Sequence, residues 1–140
     1  MGTIVKSHDL PGLVSNGMRF PVIYCREEEE LLKKAISISI PLATKLQSAK
    51  PARRTMRLEQ YFQQVLTSLP DYPVIRDIDV MFNPAYEIDV LRIICSAART
   101  KPFSLIWPGK CENGKLIYAE EGYPDYQVYE IENYDVTCVV

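Results

Sequence analysis

PVIRDIDVMFNPAYEIDVLRIICSAARTKPFSLIWP, residues 73–108, decides the fold, because it reads as a strand, a turn, a helix and a second strand. From Pro73 to Phe82 the side chains of Val74, Ile75, Ile78, Val80, Met81 and Phe82 form a nearly continuous apolar run. That is the pattern of a strand buried on both faces of a parallel sheet. Asn83-Pro84 closes the run and opens a helix, since an Asn side chain accepts from free N–H groups at a cap and Pro fits the first helical position. Ile88, Leu91, Ile94, Cys95 and Ala98 then recur three and four residues apart and give the helix one buried face. Phe103 to Trp107 is a second β-rich run, stopped by Pro108-Gly109. A strand, crossover helix and strand of this kind is a right-handed βαβ unit that needs cover on both sheet faces.

Upstream, Phe20 to Cys25 reads as the first strand, and Arg26 with Glu27, Glu28, Glu29 and Glu30 opens a short helix through Ala35. Carboxylates in a first helical turn are favourable with the helix dipole. Ile36 to Ile40 alternates strictly and predicts a short strand with one buried face, after which Pro41 begins a short helix carrying Leu42 and Leu46. Beyond a break at Ser48 to Pro51, the spacing of Leu58, Phe62, Val65, Leu66 and Leu69 predicts an amphipathic helix over the sheet, with Thr55 as its N-cap. Residues 1–19 read as a short helix or loop leading into the sheet. Downstream, Lys115 to Ala119, Tyr126 to Ile131 and Val136 to Val140 are short strand-like runs among turn residues, expected to form a small antiparallel addition at the sheet edge.

The 140 residues suit a single domain with a lead-in (1–19), an α/β core (20–108) and a Tyr-rich β addition (109–140). A hydrophobic content of 47% and a net charge of -2 exclude a disordered or strongly basic chain. No apolar stretch reaches the length of a membrane span or a signal segment, so the expectation is a cytoplasmic protein without membrane contact. Cys25, Cys95, Cys111 and Cys138 form no CxxC pair, and His8 is distant from them. Neither a metal nor a cofactor is expected, and the thiols read as packed or surface groups in a reducing compartment.

Two stretches, DIDVMFNPAYEIDVLRII (77–94) and WPGKCENGKLIYAEEGYPDYQVYEI (107–131), carry a family resemblance. An acidic strand runs into Phe-Asn-Pro and an Asp-x-Leu-Arg helix follows. A strand ends in Trp-Pro-Gly, and Gly-x-Leu-x-Tyr-Ala comes before Gly-x-Pro-x-Tyr. Together with ISISIPLATKL these resemble BrxF, the small P-loop protein of BREX type 3 bacteriophage-exclusion systems, over roughly residues 20–132. The resemblance implies a P-loop-NTPase-like three-layer α/β sandwich with a mainly parallel sheet. It also implies partners within the system: a large ATPase, a PglZ-type protein and a DNA methyltransferase.

The chain departs from that family at one decisive place. A P-loop needs G-x-x-x-x-G-K-[ST] between the first strand and its helix, where this chain has Tyr24-Cys-Arg-Glu-Glu-Glu-Glu. Phosphate beside four carboxylates is electrostatically unfavourable. Only ten residues, Arg26 to Ala35, separate the first two strands, too few for a phosphate loop and a full helix. The expectation is therefore a pseudo-NTPase with no catalytic residues. Asp77 or Asp79 could occupy the place where an active relative holds magnesium, a place that another register gives to Arg76, and they either mark a degenerate site or pair with arginine and face solvent.

Two surfaces remain as candidates. Lys45, Lys50, Arg53, Arg54 and Arg57 form an acid-free basic run that could contact nucleic-acid phosphates or an acidic protein, or merely solvate a helix end. Tyr118, Tyr123, Tyr126 and Tyr129 are interleaved with acids, which suits either a protein interface or an edge sheet packing its own core. Opposite charge on the two surfaces would allow one copy to pair head to tail with another.

Overall fold

The structure, a computed structural model, describes residues 2–6 and 19–140. The strands are β1 (Thr3–Val5), β2 (Val22–Tyr24), β3 (Ile36–Ser37), β4 (Val74–Arg76), β5 (Ser104–Ile106), β6 (Lys110–Glu112), β7 (Lys115–Tyr118), β8 (Gln127–Glu130) and β9 (Thr137–Val139). Four α-helices are described: α1 (Glu29–Lys34), α2 (Ser39–Ser48), α3 (Arg54–Thr67) and α4 (Val90–Thr100). Six strands form one sheet in the order β1-β9-β2-β5-β4-β3, every neighbouring pair parallel. The other three form an antiparallel sheet in the order β6-β7-β8. The expected α/β architecture, a mainly parallel sheet with a small antiparallel addition, is therefore present.

The decisive stretch gives its βαβ unit with different boundaries. β4 stops after Arg76 because Asp77 adopts a left-handed conformation (φ 64°) that turns the chain out of the sheet. Asp79–Phe82 is a 3-10 turn that buries Met81 and Phe82, so the apolar run reports burial in a turn as well as in a strand. Asn83 does cap, accepting from the Ala85 N–H at 3.0 Å, but it heads only the short turn Pro84–Tyr86. The N-cap of α4 is Asp89, whose Oδ1 accepts from the Arg92 N–H at 3.0 Å. Ile88 consequently precedes the helix, while Leu91, Ile94, Cys95 and Ala98 are buried along it as their spacing requires.

Three further expectations are corrected. The strand over Ile36 to Ile40 covers only β3, because Ile38 already accepts from the Leu42 N–H and takes the N-cap position of α2, leaving Ile38 buried and Ile40 exposed. Thr55 lies inside α3, since a 3-10 turn at Pro51–Arg53 runs directly into the helix and puts Arg53 at the cap position without a side-chain bond. The run Val136 to Val140 yields β9, but this strand does not join the antiparallel addition. It lies inside the main sheet between β1 and β2, with Ile23 opposite Cys138. Most of the lead-in at 1–19, His8 included, lies outside the described residues, although β1 was expected as helix or loop and is a strand.

α3 packs against both α2 and α4. Its Leu58, Phe62 and Leu66 are fully buried, and the Phe62 ring meets Phe103 edge-on at 5.8 Å. The antiparallel sheet is joined to this core through aromatic contacts: Phe82 stacks on Tyr118 at 3.8 Å, and Trp107 meets Phe82 and Tyr129 edge-on at 5.8 and 6.1 Å. Trp107 Nε1 also donates to the Ile117 carbonyl at 2.9 Å, so the indole N–H is satisfied where it is buried. Between β6 and β7, Asn113 and Gly114 both have positive φ (52° and 76°), the two-residue turn whose twist suits a hairpin. Among the described residues no helix is long and apolar enough to cross a membrane.

Candidate functional site

In open α/β sheets ligands gather beyond the C-terminal ends of the parallel strands, and here those ends present carboxylates and thiols. After β2 the chain runs through Cys25, Arg26 and Glu27 to Glu28, which is extended (φ -120°, ψ 138°) and leads straight into the six-residue α1. Glu29 and Glu30 stand exposed in its first turn, 3.5 and 3.8 Å from Lys33. The helix terminus is thus occupied by negative side chains belonging to the protein itself, and the connection holds no glycine.

At the end of β4, Asp77 Oδ2 lies 3.6 Å from Arg76 Nε, the arginine pairing weighed from the sequence. Asp79 Oδ1 accepts a hydrogen bond from the Tyr118 hydroxyl at 3.0 Å and so serves the joint between the two sheets. The two acids thus have different partners. Among the described residues no group of three histidine, cysteine or acidic side chains could hold a metal ion.

The thiols cluster more than their sequence separation suggests. Cys138 sits opposite Ile23 in the parallel register, and Cys25, two residues beyond Ile23, projects from the same face of the sheet. Contact with Cys138 and then burial hold the Cys25 thiol far above its ordinary range, and burial pushes Cys111 up to about 11. Reactive cysteines need the opposite shift. All four thiols are free of disulfides, Cys95 and Cys138 buried and Cys25 and Cys111 half-buried.

The basic run divides. Lys45 donates to Gln64 Oε1 at 3.1 Å and Arg54 Nε to the Ala49 carbonyl at 3.3 Å, so both brace the junction of α2 and α3. Lys50, Arg53 and Arg57 are exposed with no ion-pair or hydrogen-bond partner of their side chains among the described residues. Met56, 81% exposed, adds an apolar tip to the same turn. Arg53 and Arg57 are four residues apart across the start of α3, close enough to act together.

The tyrosines divide as well. Tyr118 and Tyr129 are core residues of the sheet joint, whereas Tyr123 is 61% exposed and Tyr126 half-buried. Of the candidate interface tyrosines, only Tyr123 and Tyr126 therefore have surface to offer. Tyr134, which the sequence reading did not single out as a site residue, donates to Asp89 Oδ2 at 2.7 Å and ties the segment before β9 to the cap of α4.

No known protein family, no curated protein and no solved structure matches this chain.

Proposed function

We propose that this chain is a P-loop-NTPase-like subunit without a phosphate loop, working by protein contacts as an accessory or scaffold in a BREX-like phage-defence system. One observation carries the non-catalytic part of this reading. The β2–α1 connection and the first turn of α1 supply carboxylates, Glu29 and Glu30 of them already paired with Lys33, where a nucleotide phosphate would need backbone N–H groups and a lysine. The parallel sheet, with β2 inside it and the acidic end of β4 one strand beyond β5, supports the P-loop-like part. The defence context rests on the resemblance to BrxF, and the partners are those it implies: the large ATPase, the PglZ-type protein and the DNA methyltransferase. Lys50, Arg53, Arg57 and Met56 form the contact surface, suited to an acidic partner with an apolar pocket. Tyr123 and Tyr126 form the opposite, acidic contact, which a second copy could also use.

The test is co-purification of the tagged full chain with those three components, wild type against Arg53→Ala/Arg57→Ala. Capture that the double variant loses is expected; no capture, or capture the variant retains, overturns this surface. Melting with and without ATP and magnesium accompanies it, because a nucleotide at about 100 times its dissociation constant would stabilise by about 2.7 kcal/mol. A magnesium-dependent rise would favour a residual nucleotide-binding site instead. The unpaired state of Lys50, Arg53 and Arg57 also favours a second reading, nucleic-acid binding. Affinity for duplex DNA that falls steeply with salt, with a slope reduced by roughly 2 in the double variant, would select it.

A further inference from the structure

Away from the strand ends, a cavity of about 510 Å³ opens between α4 and residues 133–135. Arg92, Ser96 and Arg99 line it from the helix side. At positions i, i+4 and i+7 they share one face, with the two arginine Cα atoms about 10 Å apart along the axis and the serine between them. Both guanidiniums can therefore close on a group held over the Ser96 hydroxyl. Neither arginine side chain has a hydrogen-bond or ion-pair partner among the described residues, and both are exposed.

Asp89 and Asp135 line the cavity as well, but the fold already uses both. Asp89 accepts from the Arg92 N–H as a helix cap and from the Tyr134 hydroxyl. Asp135 is paired with Arg19 at 2.6 Å, and that contact holds its carboxyl below the ordinary range, Arg99 adding a weaker field. The donors left over are two guanidinium forks and a hydroxyl, spread along one face of α4 with the serine in the middle. A planar carboxylate would leave one fork unfilled, whereas a tetrahedral oxyanion with three terminal oxygens can engage all three.

We propose that this cavity binds a small organic phosphate, with the phosphate monoester held between Arg92 and Arg99 over Ser96. The volume exceeds that of a phosphate alone and lies in the range of small-ligand sites. Asn133 and Tyr134 on the facing wall would meet the organic part, and Cys95 is a neutral floor whose thiol burial pushes up to about 11. This site is separate from the contact surfaces proposed above and stands or falls independently of them.

The test is calorimetric titration of the full chain at constant ionic strength with inorganic phosphate, phenyl phosphate and succinate. Saturable binding of both phosphates is expected, phenyl phosphate the tighter, with succinate weaker than either. Arg92→Ala and Arg99→Ala each lower the phosphate affinity about tenfold or more, as the loss of a charge-assisted contact should. Arg99→Lys, which keeps the charge without the fork, falls between. Lys34→Ala leaves binding unchanged, and unliganded melting curves of all variants match the wild type because these side chains are exposed. Absence of saturation, succinate binding as tightly as phosphate, or indifference to both alanine variants overturns the proposal.

Discussion

A single hydrogen bond, from the Tyr118 hydroxyl to Asp79, ties the antiparallel sheet to the turn that follows β4. Tyr118→Phe should therefore cost about 1 kcal/mol in urea unfolding, the usual net worth of such a bond. Tyr129→Phe should be neutral or slightly stabilising, because the Tyr129 hydroxyl is buried without a hydrogen-bond partner. A larger loss at Tyr129 than at Tyr118 would contradict this assignment. Both phenols also carry a pH dependence of definite sign. Burial, then Asp79, raises the Tyr118 phenol above its ordinary range, and burial pushes Tyr129 up to about 12. The folded chain keeps these protons longer than the unfolded chain, so their contribution is complete below about pH 10 and is lost as pH rises from there. Urea midpoints should accordingly fall between about pH 10 and pH 12, and fall less in Tyr129→Phe; a midpoint constant over that range would contradict the shifts.

At the scale of elements, Asp89 has two tasks, capping α4 and anchoring Tyr134. Asp89→Ala should cost about 1–2 kcal/mol, the upper part of the range for a lost cap, while Asp89→Asn should recover most of it. Equal stability of the two variants would show that the cap is not the main term. The same helix illustrates what the chain's pattern made legible. The buried faces of α3 and α4 follow from the spacing of Leu58, Phe62, Val65 and Leu66 and of Leu91, Ile94, Cys95 and Ala98, because burial on a helix imposes a period. The start of α4 was misread because Asn83-Pro84 is as good a cap signal as Asp89, and only the intervening 3-10 turn separates them. Tyr118 and Tyr129 could not be told from Tyr123 by composition. Their burial depends on the β7–β8 register, which sets Leu116 opposite Tyr129. Arg92, Ser96 and Arg99 were not singled out, because an exposed i, i+4, i+7 polar stripe is what any surface helix shows and gains meaning only from the wall opposite it.

For the whole molecule, the parallel sheet and its antiparallel attachment follow from local pattern, whereas strand order does not. Thr137–Val139 looks like any short apolar run, and its place between β1 and β2 arises from pairing across more than a hundred residues. Thr137→Pro tests that position. The Thr137 N–H donates to the Pro21 carbonyl at 3.1 Å, and proline inside a sheet removes such a bond, which is why it is confined to edge strands and bulges. The variant should melt well below the wild type or fail to fold by far-ultraviolet circular dichroism. A melting temperature near the wild type would show that β9 contributes little to the sheet.

The late arrival of β9 also has a consequence during synthesis. A ribosome making this chain at about 5–20 residues per second exposes β2 long before the strand that covers its flank has been made. Until residue 139 has emerged, one side of Val22–Tyr24 lacks its hydrogen-bonding neighbour, and β1 has no strand to pair with. The nascent chain therefore carries a sticky apolar strand edge from the synthesis of β2 until that of β9, the state in which holding chaperones act and in which slowed elongation before β9 would favour aggregation.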